Sequence, residues 1–181
     1  MEKPTASGVA SFASTLANLE HSNLDLIKSS LKDKKLQNSM LSDFFQFTLN
    51  SDDKSIQHPL FYSLLTLKTL PELLALTGDA KLGKLAVSVM KKAMVKKDDA
   101  FDKILLPTFL PVLFNTIETE SKWKVKVAAL QLLTEEDILP RMAFACPKIL
   151  QSEMAPLVKT LVSCSKEVRS DIKSLSSKLL E

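Results

Sequence analysis

The sequence predicts an all-α fold, a right-handed α-solenoid of about four stacked helix pairs in a single domain over residues 1–181. Three observations predict it. The chain has 3 Gly among many Leu, Ala, Lys and Ser residues, a composition that favours helices. Apolar residues recur at helical spacing between short polar breaks. Part of the chain also repeats itself at an offset of about 45 residues, which is typical of stacked helix pairs.

The first 78 residues form the more divergent part of the predicted solenoid. We expect a helix over Val9–Leu19, and another over Asn23–Leu31 with Ser22 as its N-cap. A longer helix follows over Lys34–Leu49. Its apolar stripe contains Leu36, Met40, Leu41, Phe44, Phe45 and Phe47.

Polar residues and prolines divide the next segment. The run Asn50–Lys54 ends the preceding helix. Pro59 fits the first turn of a new helix that continues through Leu67, because proline lacks the N–H that a first turn leaves unpaired. Pro71 interrupts or kinks that helix.

Residues 79–181 form the clearer part of the solenoid. Gly78 suits the end of a helix, and Asp79 suits the N-cap of the next, which runs to Val95. The next predicted helix, Phe101–Ile117, contains Pro107 and Pro111, which are expected to start or kink it. The remaining predicted helices are Lys122–Leu133 capped by Ser121, a short segment between Pro140 and Pro147, Lys148–Val162, and Glu167–Leu180 capped by Ser165.

An internal repeat supports this order of elements. At an offset of 45 residues the aligned pairs are Pro111 with Pro156, Trp123 with Val168, Lys124 with Arg169, Val127 with Ile172, and Leu130 with Leu175. A period near 45 with two helices per unit is typical of HEAT and armadillo-type arrays. One such pair cannot bury its apolar face alone, so it must stack on neighbours.

Two stretches resemble a known family. Leu105–Pro107 and Glu120–Leu130, followed by the pair Val168-Arg169, resemble the HEAT-repeat domain of fungal-type translation elongation factor 3. They are equally similar to the giant HEAT-repeat co-activator that senses stalled ribosomes in amino-acid starvation. The resemblance covers residues 79–133 and 156–180 and fades upstream. It implies a curved helical surface that docks on a ribosome or another large partner.

The sequence departs from elongation factor 3 in one respect. That factor has two ATP-binding cassettes after its HEAT domain. Glycines occur here only at positions 8, 78 and 83, so the chain has no phosphate-binding loop of the Gly-x-x-x-x-Gly-Lys type. The resemblance therefore implies docking without ATP hydrolysis.

Basic residues are concentrated in the middle of the chain. Residues 61–130 hold 11 basic and 7 acidic side chains, whereas the segments before and after are nearly balanced. We predict a partner-binding surface, with contact to ribosomal RNA phosphates or an acidic protein; a solvated face is the alternative. The predicted surface comprises Lys81, Lys84, Lys91, Lys92, Lys96, Lys97, Lys122, Trp123, Lys124 and Lys126, with Lys103 nearby.

Trp123 has two interpretations. The favoured one is a core residue in the same repeat position as Val168. The other is an anchor for a partner at the turn between two helices, as in tubulin-binding HEAT arrays.

Residue types needed for catalysis or metal binding do not cluster. His21 and His58 fit loop or cap positions, and neither has metal-ligand spacing with Cys146. The cysteines Cys146 and Cys164 fit buried free thiols in a reducing compartment. We therefore predict no enzyme activity, no cofactor, no metal and no small-molecule substrate.

These observations favour a non-enzymatic scaffold that binds a ribosome or ribonucleoprotein in translation. One alternative is a structural linker subunit that binds through apolar ridges such as the one with Phe44, Phe45 and Phe47. The other is a tubulin-binding module. No apolar run is long enough for a membrane span, and we expect a cytoplasmic protein. An organellar location is the alternative, because the start of the chain has few acidic residues.

Overall fold

The computed structural model describes residues 18–29, 37–51, 54–95, 102–103, 106–135 and 138–181. The regular elements of this part are all helices, which confirms the predicted all-α fold. The predicted helix Val9–Leu19 lies almost entirely outside the described residues. Residues 18–29 belong to α1. The other helices are α2 (Gln37–Asn50), α3 (Lys54–Leu64), α4 (Leu70–Leu76), α5 (Gly83–Val95), α6 (Leu106–Thr119), α7 (Trp123–Leu133), α8 (Ile138–Ala145), α9 (Pro147–Cys164) and α10 (Ser170–Leu180).

The helices form two rows. Within pairs, α4 packs on α5, α6 on α7, and α9 on α10. Between pairs, α6 packs on α9, while α2, α5, α7 and α10 contact each other in that order. We call α2, α5, α7 and α10 the second-helix row, and α1, α3 with α4, α6 and α9 the first-helix row. In the described residues this is an α-solenoid of four helix pairs, with α8 packed against α9.

Polar contacts join α1 to the next pair. The Nδ2 of Asn23 donates to Ser63 Oγ at 2.6 Å, and both side chains are buried. Lys68, in the turn after α3, forms an ion pair with Glu20 at 3.0 Å. A buried amide costs free energy unless it is hydrogen-bonded, so the Asn23 contact fixes where α1 lies on α3.

A single apolar core runs through the stack. It has members on every described pair, among them Ile27, Leu41, Phe45, Leu73, Met90, Leu110, Leu130, Leu157 and Ile172. Because each pair buries its apolar stripe against its neighbours, the pairs depend on each other for stability.

The burial pattern gives a repeat period of 47 residues in the last two pairs. Buried positions coincide at this offset: Leu110 with Leu157, Phe114 with Leu161, Ile117 with Cys164, and Val125 with Ile172. The predicted offset of 45 is therefore wrong. It aligned Pro111 of α6 with Pro156 of α9, whereas the buried positions of both helices coincide two residues further on. Trp123 opens α7, whereas Val168 is fully exposed before α10.

Several predicted helix limits also change. Ser22 lies inside α1 and does not cap a new helix, and Pro59 lies inside α3, which begins five residues earlier. The N-cap of α7 is Lys122 and not Ser121. Ser165 is the C-cap of α9, where its hydroxyl donates to the Val162 carbonyl at 2.9 Å. Serines and prolines mark helix limits only statistically, and tertiary contacts decided these positions.

The turn between α4 and α5 confirms the predicted break at Gly78 and Asp79, but α5 begins at Gly83 and not next to Asp79. Asp79 Oδ1 accepts hydrogen bonds from the backbone N–H groups of Lys81, at 2.8 Å, and Leu82, at 3.0 Å. Gly83 is the first residue of α5, and a Cβ atom there would lie 2.5 Å from the Thr77 carbonyl oxygen. Glycine is required because the backbone of the turn approaches so closely.

Candidate partner-binding groove

A groove with a volume of about 560 Å³ lies between α5 and α7, two neighbours in the second-helix row. We call it the α5–α7 groove. Its lining residues are Thr77, Asp79, Ala80, Gly83, Lys84, Val87, Ser88, Lys91, Trp123, Lys124, Val127, Ala128 and Gln131. The turn held by Gly83 forms one end of it, next to the first turn of α7.

The two helices beside the groove have only one kind of charge. Five lysines lie on α5 and α7, and neither helix contains an aspartate or glutamate. The N-terminal end of a helix also has a positive partial charge, and neither first turn contains an acidic residue to offset it. The groove therefore attracts negative charge.

Three of the five lysines already have partners. Lys91 forms an ion pair with Glu135, and Lys126 forms one with Glu167 at 3.2 Å. The amine of Lys92 donates to a backbone carbonyl near the end of α2. These contacts hold neighbouring elements together, so these side chains are not free to meet a partner.

The remaining lysines are exposed. Lys84 and Lys124 lie on opposite walls of the groove, and Lys81 and Lys122 lie in the turns just before α5 and α7. No carboxylate of the described residues forms an ion pair with any of these four. Within the described part of the chain, they carry positive charge that no ion pair offsets.

The groove brings together only part of the predicted surface. Lys84, Lys91, Trp123 and Lys124 line it. Lys92 and Lys126 do not, and Lys103 lies in a different segment. The predicted residues Lys96 and Lys97 lie outside the described residues.

Trp123 is exposed, so the favoured interpretation of a core tryptophan is wrong. Its side chain is 40% exposed at the start of α7, where it lines the groove. The guanidinium of Arg169 lies 3.5 Å from the centroid of the indole ring, and the Lys124 amine lies 5.7 Å from it. The first residue of a helix extends beyond the packed turns, which explains why the ring is not enclosed.

Arg169 lies beside Trp123 and was not among the residues of the predicted surface. It is the N-cap of α10, and its Nη2 donates to Asp171 Oδ2 at 3.1 Å. The hydrogen bond from Arg169 lowers the pKa of the Asp171 carboxyl below its ordinary value. Nothing in the local sequence indicates that this arginine lies on Trp123 of the preceding pair, because the contact depends on how the pairs stack.

The described residues offer little for nucleophilic or metal chemistry. Cys146 and Cys164 are free and buried, as predicted. Burial raises the pKa of both thiols, and a thiol with a raised pKa is a poor nucleophile. The described residues contain no group of three potential metal ligands. His21 lies 3.4 Å from Asp25 on the surface of α1, and the side chain of His58 lies outside the described residues.

Comparison with known families gives a match along almost the whole chain. The model of the EF3 N-terminal HEAT repeat matches residues 2–180. The chain belongs to this family. A HEAT repeat is a pair of helices, which agrees with the observed fold. The match also includes residues 2–78, where the sequence motifs that resemble elongation factor 3 are weak. Neither the curated proteins nor the solved structures gave a match.

Among the helices that the structure describes, none has the length and apolar character needed to span a bilayer.

Proposed function

We propose that this EF3-type HEAT domain is a non-enzymatic cytoplasmic scaffold that docks on a ribosome or ribonucleoprotein during translation. The α5–α7 groove and the lysines at its edge are the proposed docking surface. One observation supports this choice above the others: Lys84 and Lys124 face each other on helices that have no carboxylate.

The family supplies the second line of support. HEAT repeats are modules for protein interaction, and the matching family is named for the N-terminal repeat of EF3. Elongation factor 3, which the motifs around Trp123 resemble, acts in translation. A basic, exposed surface on such a module suits a partner that is rich in phosphate or carboxylate groups.

The test is co-sedimentation of the protein with purified ribosomes over a range of salt concentrations. Two to four lysine contacts should weaken binding roughly ten- to hundredfold between about 50 and 200 mM monovalent salt. Binding that is absent at low salt would overturn the proposal.

A structural linker is the second candidate, because one described helix has an exposed apolar stripe. Met154, Val158 and Val162 lie one turn apart on α9 and are 41, 41 and 38% exposed. On α2, in contrast, Phe45 is buried and only Phe47 of the predicted ridge is largely exposed, at 54%. A linker that binds through α9 predicts affinity that does not fall with salt, and loss of that affinity in Val158→Glu.

A further inference from the structure

The floor of the α5–α7 groove is apolar. Val87 of α5 and Val127 of α7 are half-buried there, and Ala128 is buried beside them. These side chains have no hydrogen-bonding groups, so they recognise another apolar side chain by excluding water. Ser88 and Gln131 also line the groove, so these three side chains form an apolar patch within a lining that is polar elsewhere.

The rim of the groove is cationic. Among the described residues, three lysines and the carboxylate of Asp79 line it, and Asp79 Oδ1 accepts two backbone hydrogen bonds. Lys91 is balanced by Glu135, whereas Lys84 and Lys124, one on each wall, form no ion pair with a described carboxylate. An apolar floor between two cations is complementary to an apolar side chain flanked by carboxylates.

Trp123 is poorly placed to stack on a nucleobase. Proteins that hold single-stranded RNA present open aromatic faces, on which successive bases stack. The face of the indole toward α10 is already covered by the Arg169 guanidinium at 3.5 Å. Among the described residues that line the groove, Trp123 is the one with an aromatic side chain. The exposed part of the ring instead extends the apolar floor at its open end.

We propose that the α5–α7 groove binds an acidic protein segment that inserts apolar side chains between Val87, Val127 and Trp123. The carboxylates of that segment lie on Lys84 and Lys124. The inference rests on the proposed function, since it names the chemistry of the partner at the same surface. RNA is the competing ligand, and the test decides between them.

Trp123 itself reports on the groove, because the chain has one tryptophan. The probes are 12-residue peptides of glutamate and glycine with two leucines three or four positions apart. Matched peptides have alanine in place of leucine, and the nucleic-acid probe is a 12-nucleotide oligouridylate. Insertion of leucine should shift the Trp123 emission to shorter wavelength. The alanine peptides should bind at least tenfold more weakly, since most of the buried apolar area is lost.

Charge variants locate the binding site. Lys84→Glu combined with Lys124→Glu should weaken binding of the leucine peptides at least tenfold. The matched control is Lys148→Glu with Lys159→Glu, two exposed lysines of α9, and it should bind as the natural protein does. If circular dichroism shows that the first double variant is unfolded, Lys84→Gln takes its place, with a smaller loss expected.

Three results would overturn the inference. One is an emission shift with oligouridylate that equals or exceeds the shift with the leucine peptides. The others are equal affinities for the leucine and alanine peptides, and no response to any peptide. The proposed function fails separately: if the leucine peptides bind but ribosomes do not co-sediment, the groove is an acidic-peptide site without a ribosomal role. If ribosomes bind and the peptides do not, only the inference about the ligand is wrong.

Discussion

Two neighbouring junctions in the second-helix row have the same architecture but different surface chemistry. At the α7–α10 junction, Arg169 covers one face of Trp123, and Lys126 pairs with Glu167. At the α5–α7 junction, Lys84 and Lys124 have no carboxylate partner among the described residues, and a groove remains between the helices.

The difference shows how an array of similar units acquires one distinct surface. The Lys126 and Glu167 side chains are 16 and 35% exposed, so their ion pair both joins the two helices and neutralises the charge at the α7–α10 junction. Where such partners are missing, the same helix geometry leaves a charged groove that is available to a partner.

The largest predicted effect tests the register on which this comparison depends. Ile172→Ala should lower the free energy of unfolding by about 2 to 4 kcal/mol, because Ile172 is buried in the position equivalent to Val125. Val168→Ala, at the position that an offset of 45 would make equivalent to Trp123, should change it by less than about 0.5 kcal/mol. Urea denaturation of both variants measures this. Equal costs would contradict the period of 47.

The second prediction concerns the turn that forms one end of the groove. Gly83→Ala should destabilise the protein by about 2 kcal/mol or more, because the added Cβ would lie 2.5 Å from the Thr77 carbonyl oxygen. Gly78→Ala is the matched control, since its Cβ would lie at an ordinary 3.4 Å from Val125 Cγ2. Thermal unfolding of the pair checks this, and a Gly83 variant as stable as the Gly78 variant would be inconsistent with the described turn.

A smaller effect is expected when Arg169 no longer covers the Trp123 ring at the α7–α10 junction. Arg169→Ala removes the guanidinium from the indole ring and should cost about 1 kcal/mol or less. The Trp123 emission should move to longer wavelength as the ring meets more water. Lys173→Ala, an exposed change on the same helix, should leave the emission unchanged. Identical spectra for the two variants would show that Arg169 does not lie on the ring.

The smallest predicted effect concerns the pKa of the Asp171 carboxyl. Because the hydrogen bond from Arg169 lowers the pKa of Asp171, the carboxylate contributes stability above its ordinary pKa, and this is lost as pH falls through the lowered value. The contribution is slight because the group is exposed. An NMR titration of Asp171 should give a midpoint below the ordinary value, which Arg169→Ala should raise toward it. A midpoint that is unchanged in Arg169→Ala would show that Arg169 does not lower the pKa of Asp171.

The helix breaks and the repeat class could be predicted from the sequence, because they depend on local chemistry. The polar run after Asn50 and the turn at Gly78 and Asp79 are examples. The register of the last two pairs could not, since it follows the buried positions, which repeat at 47 residues, while the two prolines lie 45 apart. The match between Pro111 and Pro156 therefore gave the wrong offset.

The ion pairs that the lysines form could not be predicted from the sequence either. Lys91 meets Glu135, and Lys126 meets Glu167, across different helix pairs. A count of basic residues in one stretch predicts a positive surface, but it does not separate compensated from free charges. The exposure of Trp123 was missed because the 45-residue alignment did not show that Trp123 is the first residue of α7, beyond the packed turns.

We propose that Lys84 and Lys124 of the α5–α7 groove dock the protein on ribosomes. The most direct measurement is co-sedimentation with purified ribosomes at low salt, for Lys84→Glu with Lys124→Glu and for the α9 control Lys148→Glu with Lys159→Glu. Both variants change the net charge by the same amount. The account predicts at least a tenfold loss of binding for the groove variant and little change for the control. Equal binding of the two variants would contradict it.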